Sequence, residues 1–231
     1  LISGICRVRD EVDIIEETLD WYAEICDNGI VVFDDGSTDG TADVCEQHPA
    51  VDRVIGRQPW QRIIYTDQGD CRWEAAQRTR GDWIMCFDAD ERAELTEPID
   101  YENDDAVFFR LFDSYMTPDG DSEWIGPEYR DIVMMWRRTA VDGIPAREPR
   151  LMPLSRQTFG GYCRHLGKAR GVQRWERKCR LYQEEGYPAS WHAKWKARMG
   201  KAIKHDYCSD FGLPLIKWGE RFEKGVPLED G

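Results

Sequence analysis

The sequence predicts an α/β architecture, a mostly parallel central sheet flanked by helices, on three observations. Short and almost wholly apolar runs end in acidic clusters, amphipathic stretches lie between them, and the alternation repeats from Leu1 to Glu91. Strands that are apolar throughout are buried on both faces, which is the condition of a parallel sheet covered by helices. The 231 residues, set against roughly 150 per domain, suit one large domain or a domain with an appendage. With 41% hydrophobic and 32% charged residues the composition excludes collagen-like and wholly disordered chains. No apolar run approaches the roughly 18 residues of a conventional membrane span.

Taken in order, Leu1 to Val8 (LISGICRV) is a buried strand closed by the polar Arg9-Asp10-Glu11. From Val12 to Cys26 the apolar positions Ile14, Ile15, Leu19, Trp21, Tyr22 and Ile25 recur at helical spacing. The β-branched run Ile30 to Phe33 ends in Asp34-Asp35-Gly36-Ser37-Thr38-Asp39, where capping residues precede a helix to about Glu46. Val51 to Ile55 is a third strand, Gln68 to Thr79 a helix, and Trp83 to Phe87 a strand ending in Asp88-Ala89-Asp90-Glu91. Beyond it, Ala106 to Phe112 and Ile132 to Trp136 are expected strands joined by an acidic loop, Thr117 to Asp131, and Ala140 to Gly161 is read as irregular. Helices are expected over Val172 to Glu185 and His192 to Ile203.

The net charge of -13 argues against a nucleic-acid-binding surface, so no nucleic-acid partner is expected. The charge is unevenly spread. Leu1 to Phe159 carries 16 basic and 35 acidic residues, whereas Gly160 to Gly231 carries 15 basic and 9 acidic. The eight cysteines contain no CxxC pair, which removes zinc-cluster spacing; several lie in apolar runs such as WIMCF. Reduced core thiols and a cytoplasmic setting are therefore expected, or the cytosolic face of a membrane.

In an open parallel sheet the ligand crevice lies outside the carboxyl ends of the strands, which puts Arg9 to Glu11, Asp34 to Asp39 and Asp88 to Asp90 on one rim. In extended backbone Asp88 and Asp90 point to the same side, so both carboxylates can meet one object. A divalent cation carrying phosphates relieves their repulsion, since Mg2+ accepts a few carboxylates and completes its shell with phosphate and water. A solvated strand end is the plain alternative for any lone DxD. Neither GxxxxGK[ST] nor a GxGxxG after the first strand occurs, so P-loop hydrolysis and nicotinamide redox chemistry lose their usual support.

With these residues in view, the chain resembles inverting glycosyltransferases of family two, which have the GT-A fold. ISGICRVRDE, VVFDDGSTDGTADVC and CRWEAAQRTRGDWIMCFDADE carry the likeness, closely over Leu1 to Glu91 and loosely beyond. The resemblance implies a Rossmann-like, mostly parallel sheet flanked by helices, with a small antiparallel portion and C-terminal helices. It also implies one domain over 1–231, in which 1–100 binds the nucleotide sugar, 101–165 faces the acceptor and 166–231 is a helical C-terminal extension.

The implied function is metal-dependent transfer of a hexose, deoxyhexose or hexosamine from a nucleoside-diphosphate sugar, by default a UDP-sugar, to a glycan or glycolipid acceptor. Asp34 and Asp35 are implied to line the nucleotide pocket, with Arg9 and Glu11 beside it. Arg72 matches a family arginine, although Trp73 stands where asparagine is common. Asp88 is implied at the ribose or the metal-bound diphosphate, Asp90 as the ligand of Mn2+ or Mg2+, and His165 as a further metal ligand. Lys168 and Arg170 are expected to reach the diphosphate. Glu148 is the first choice for general base, because related sequences carry a His-Glu or similar pair where this chain has Arg147-Glu148; Asp131 and Glu128 are the alternatives. Trp191, Trp195, Lys196, Arg198 and Lys201 form an expected peripheral contact with anionic membrane. A sugar-nucleotide-forming nucleotidyltransferase and a non-catalytic carbohydrate-binding or scaffold domain are the competing functions. Oligomeric state is not legible in the sequence.

Overall fold

The computed structural model describes residues 1–57, 68–121, 123–184 and 200–228. The first half follows the predicted alternation. β1 (Ile2–Val8), α1 (Ile15–Ala23), β2 (Ile30–Asp35), α2 (Thr41–Gln47), β3 (Val51–Arg57), α3 (Gln68–Arg78) and β4 (Trp83–Asp88) succeed one another. After them come β5 (Glu91–Leu95), β6 (Ala106–Ser114), β7 (Trp124–Arg137), β8 (Gln157–His165), α4 (Val172–Glu184), β9 (Ile216–Lys217) and β10 (Val226–Pro227).

The chain forms two compact units. The first comprises 1–109 and 132–161, the second 110–131 and 162–231, so β6, β7 and β8 each contribute residues to both. In the first unit the strands follow the order β3-β2-β1-β4-β7-β6-β8-β5. β3, β2, β1 and β4 are mutually parallel, and β7 runs antiparallel to β4, with Met85 opposite Met135. This is the Rossmann-like, GT-A type of sheet that the resemblance implies, with its antiparallel portion.

Burial explains why the parallel strands read as apolar runs. All six residues of β2 are buried, the two aspartates included. Beneath the sheet Ile5, Val31, Phe33, Ile84, Cys86 and Trp136 pack with Ala75 and Ala76 of α3 and with Ile144. On α1 the buried Ile15, Leu19 and Tyr22 follow helical spacing, and burying each large side chain of this kind contributes about 1.5–3 kcal/mol. Tyr22 stacks on Phe87 of β4 with centroids 3.6 Å apart. Thr18 donates its hydroxyl to Ala89 O at 2.5 Å and Trp21 its indole N–H to Ala93 O at 2.8 Å. Helix α1 thereby holds the turn that carries Ala89 and Asp90.

Gly69 has a specific steric reason. A Cβ there would stand 2.1 Å from Ile144 O and 2.6 Å from Pro145 C, so only glycine lets the 144–148 segment lie against α3.

The structure departs from the sequence expectations at four places. Thr117 to Asp131 is not wholly a loop: β7 begins at Trp124 and incorporates Pro127. Trp124 and Ile125 pair with Lys217 and Ile216, and Glu128 and Tyr129 with Val226 and Pro227. Partners so distant in sequence leave no local signal. Ala140 to Gly161 is not irregular throughout, since β8 begins at Gln157 and runs to His165, and β5 follows the acidic cluster where no strand was expected. Part of the expected helix His192 to Ile203 lies outside the described residues; its end is not helical, and Ile203 bridges Met116. Trp191, Trp195, Lys196 and Arg198 also lie outside the described residues, and Lys201 is exposed. No helix among the described residues is long and apolar enough to cross a membrane. All eight cysteines are free thiols.

Candidate active site

In the order β3-β2-β1-β4 the chain leaves β1 toward β2 and β3 on one side and returns to β4 on the other, so β1 and β4 flank a topological switch point. Register places Val8 beside Asp34, and Arg7 beside Asp88. The loops above are stitched by side chains. Asp10, at φ 51, donates its N–H to Ser37 Oγ at 3.0 Å, and its carboxylate accepts the Thr38 N–H at 2.8 Å. Glu11 N–H donates to Thr41 Oγ1 at 2.8 Å. Arg9 and Glu11 are half-buried in this loop.

The two aspartates of β2 have different surroundings. Asp34 accepts the Ser37 N–H at 3.1 Å, yet burial outweighs that bond and raises its carboxyl above the ordinary value. Asp35 has a side chain with no exposure and is clamped by Arg7, whose Nε lies 2.7 Å away, and by Arg57 Nε at 3.6 Å. The carboxylate expected at the nucleotide is thus held by two guanidiniums at the end of β2.

At the end of β4 a second arginine pair surrounds Asp88. Arg72, buried on α3, places Nη2 2.8 Å from Asp88 Oδ1 and donates from Nη1 to Ala146 O at 3.3 Å. Arg147 sets Nε 3.5 Å from Asp88 Oδ2 and Nη2 2.5 Å from Glu91 Oε2. Glu91 also accepts the Asp88 N–H at 2.9 Å. Burial pushes the Asp88 carboxyl up, but the two guanidiniums prevail and hold it at about 2. Glu148, exposed overall, accepts the Val133 N–H on Oε1 at 2.5 Å.

Asp88 and Asp90 offer a divalent cation two hard oxygen donors, a set suited to Mg2+ or Mn2+. Asp90 is buried at 4% exposure, and its charge works against ionisation of Asp88, a repulsion that a cation relieves. Among the described residues no group of three or more His, Cys, Asp or Glu gathers to hold a metal. A cation here would therefore complete its shell from phosphate and water.

The other expected residues belong to the second unit. His165 Nδ1 lies 2.6 Å from Asp113 Oδ1, and Lys168 Nζ lies 2.7 Å from Asp113 Oδ2 and 2.9 Å from Asp210 Oδ2. Burial opposes the Asp113 charge, but Lys168, His165 and Arg130 keep its carboxyl well below the usual range. Arg170 is half-buried. Glu128 is buried and accepts the Ser209 hydroxyl. Asp131 lies 3.6 Å from Arg110 Nε, and burial raises its carboxyl despite that neighbour.

Sequence reasoning missed Arg7, Arg57, Glu91, Arg147 and Asp113. Arg7 gave a signal, as the one charge within LISGICRV. Arg147 was visible only as the neighbour of Glu148, and its contact with Glu91, 56 residues away, left no local signal.

Comparison with known proteins adds to this geometry. The family model described as glycosyl transferase family 2 matches residues 8–112. Uncharacterized proteins of Mycobacterium tuberculosis and Mycobacterium bovis are each 34% identical over 142 residues, covering 57% of this chain and 33% of their own. The chain thus spans about a third of the length of the curated relatives it matches. Among solved structures, glucosyl-3-phosphoglycerate synthase from Mycobacterium tuberculosis, in complex with Mn2+, UDP-glucose and phosphoglyceric acid, is 17% identical. That match covers 81% of this chain and 80% of the other, with a TM-score of 0.45. A mannosyltransferase from Pyrobaculum calidifontis, in complex with GDP-Man and Mn2+, is 16% identical, covering 86% and 68%, with a TM-score of 0.44.

Proposed function

We propose, from the match of residues 8–112 to the family model described as glycosyl transferase family 2, that the chain transfers a sugar, with inversion, from a nucleoside-diphosphate sugar to a hydroxyl of a glycan or glycolipid. The observation that carries the reading is the arrangement at the switch point. Arg72 and Arg147 converge on Asp88, Asp90 follows, and Glu148 is next in sequence to Arg147.

The donor nucleotide lies at the carboxyl ends of β1, β2 and β4, with UDP-sugars the first donors to test and TDP- and GDP-sugars beside them. Arg7 and Arg57 hold Asp35 in the pocket floor, and the amide-stitched loop of Arg9, Asp10 and Glu11 forms its rim. Asp90, with Asp88, would hold Mn2+ or Mg2+, which supplies positive charge to the diphosphate.

On the acceptor side Glu148 accepts the proton of the attacking hydroxyl as its oxygen bonds to the anomeric carbon and the bond to the diphosphate breaks. Oε1 is engaged by Val133 N–H, and Oε2 makes no hydrogen bond to the described residues. That oxygen is the one to take the proton. Glu128, buried on Ser209, is the less suited of the alternatives.

The test is release of nucleoside diphosphate from a panel of UDP-, GDP- and TDP-sugars with Mn2+. Wild-type protein releases it, whereas Asp90→Ala and Glu148→Gln lose nearly all release while keeping the fold. Full activity in Asp90→Ala contradicts the metal role. Pyrophosphate release from a sugar phosphate and a nucleoside triphosphate would move the chain to the nucleotidyltransferases.

A further inference from the structure

We infer that Arg147 is a positioning residue: its grip on Glu91 and Asp88 at the end of β4 sets where the carboxylate of the next residue, Glu148, stands. The inference rests on the proposed function for what Glu148 does, and on geometry for how it is held.

The guanidinium makes four contacts with one short stretch of chain. Nη2 lies 2.5 Å from Glu91 Oε2 and 3.4 Å from Cys86 O, Nη1 lies 3.3 Å from Cys86 Sγ, and Nε lies 3.5 Å from Asp88 Oδ2. It spans the last residues of the strand and the first residue after the turn. Burial opposes its charge, but Glu91, Cys86 and Asp88 keep it firmly protonated. Glu91 is itself buried and carries the Asp88 N–H. Arg147 therefore neutralises a buried carboxylate, while the turn that bears Asp90 is held separately by Thr18 and Trp21 of α1.

Glu148 docks on the neighbouring strand. Its Oε1 accepts the Val133 N–H. The β4–β7 ladder ends at Met85–Met135; beyond it Arg147 meets Cys86 O on β4 and Glu148 meets the Val133 N–H on β7. Two side chains adjacent in sequence thus anchor on two adjacent strands, β4 and β7, and the backbone between them has little freedom. A planar fork reaches Glu91 and Asp88 together, which a lysine point charge does not reproduce. Arg72 keeps Asp88 at 2.8 Å and the chain at Ala146 O at 3.3 Å, so loss of Arg147 leaves the donor side held and loosens the stretch from Arg147 to Glu148.

The experiment uses Arg147→Met, Arg147→Lys and the double variant Arg147→Met with Glu91→Gln, which avoids leaving Glu91 charged and buried without its partner. Hydrolysis, with Mn2+, of the nucleotide sugar that the wild type turns over in a panel of UDP-, GDP- and TDP-sugars gives kcat and KM, calorimetry gives the affinity for UDP or the matching nucleoside diphosphate, and amide exchange reports the Val133 N–H. In the double variant kcat falls about 100-fold, as expected for a reacting group displaced by about an ångström. KM and nucleoside-diphosphate affinity stay within about threefold, the signature of a group acting after the donor is bound. Arg147→Lys recovers about tenfold of the loss. Val133 exchanges faster in the double variant, as it does in Glu148→Ala. An unchanged kcat, or a KM that rises while kcat holds, overturns the inference, the second by making Arg147 a donor contact. A wild type inactive on every nucleotide sugar tried overturns the proposed function, whereas a Val133 amide indifferent to Arg147 overturns this inference alone.

Discussion

Arg72 crosses from α3 to the end of β4 and sets Nη2 2.8 Å from Asp88 Oδ1, with the arginine buried and the aspartate side chain 30% exposed. The charge that a solvated DxD would hold in water is held here by protein. The same arginine donates to Ala146 O, so one side chain couples the acidic strand end to the segment that carries Glu148.

The Asp88 carboxyl, ordinarily at 3.8, stands at about 2 in the folded chain. A folded value below the unfolded one contributes stability that is present above about pH 4 and lost as pH falls toward 2. Asp88→Asn is therefore expected to be less stable than wild type at pH 5, with the difference closing by about pH 2. Denaturant unfolding of both proteins across that window checks it. A difference that stays constant would place the stabilisation elsewhere.

Asp35 is held by Arg7 and Arg57 with no side-chain exposure. Neutralising it leaves both guanidiniums without their shared partner, and removing one member of a buried pair costs about 3–5 kcal/mol. Asp35→Asn is expected to lose stability on that scale, measured by chemical denaturation. A variant as stable as wild type and defective only in nucleotide binding would return Asp35 to a direct ligand contact.

Gly69→Ala tests how the acceptor-side segment is seated. The added Cβ meets the carbonyl of Ile144 at 2.1 Å, an overlap relieved only by moving the 144–148 segment, at a cost of about 1–3 kcal/mol. The expected result is a lower melting temperature together with weaker protection of the Val133 amide. Unchanged protection would separate Glu148 from the seating of its own segment.

The elements legible in the sequence are those whose signal is local. LISGICRV, IVVFDD and WIMCFD are apolar because both sheet faces are covered, and Ile15, Leu19 and Tyr22 mark the inner face of α1 through spacing alone. The carboxylates of the rim were legible for the same reason, each following its strand directly. The first part of β7 was not, because its partners Ile216 and Val226 come about ninety residues later and Pro127 argues locally against a strand. Nor was the pairing of Arg147 with Glu91, which depends on antiparallel β7 returning beside β4. Asp35 was legible as a rim residue, but its burial beneath Arg7 and Arg57 follows from register across three strands, a property no single segment contains.

Under the proposed function a nucleoside diphosphate binds with a divalent cation at the end of β4, through Asp90. Calorimetric titration of UDP, GDP and TDP into wild type and Asp90→Ala, with and without Mn2+, tests it most directly. One of the three is expected to bind wild type in a Mn2+-dependent manner, and Asp90→Ala, folded by its melting curve, to lose that dependence. Equal, Mn2+-dependent binding by both proteins would contradict it.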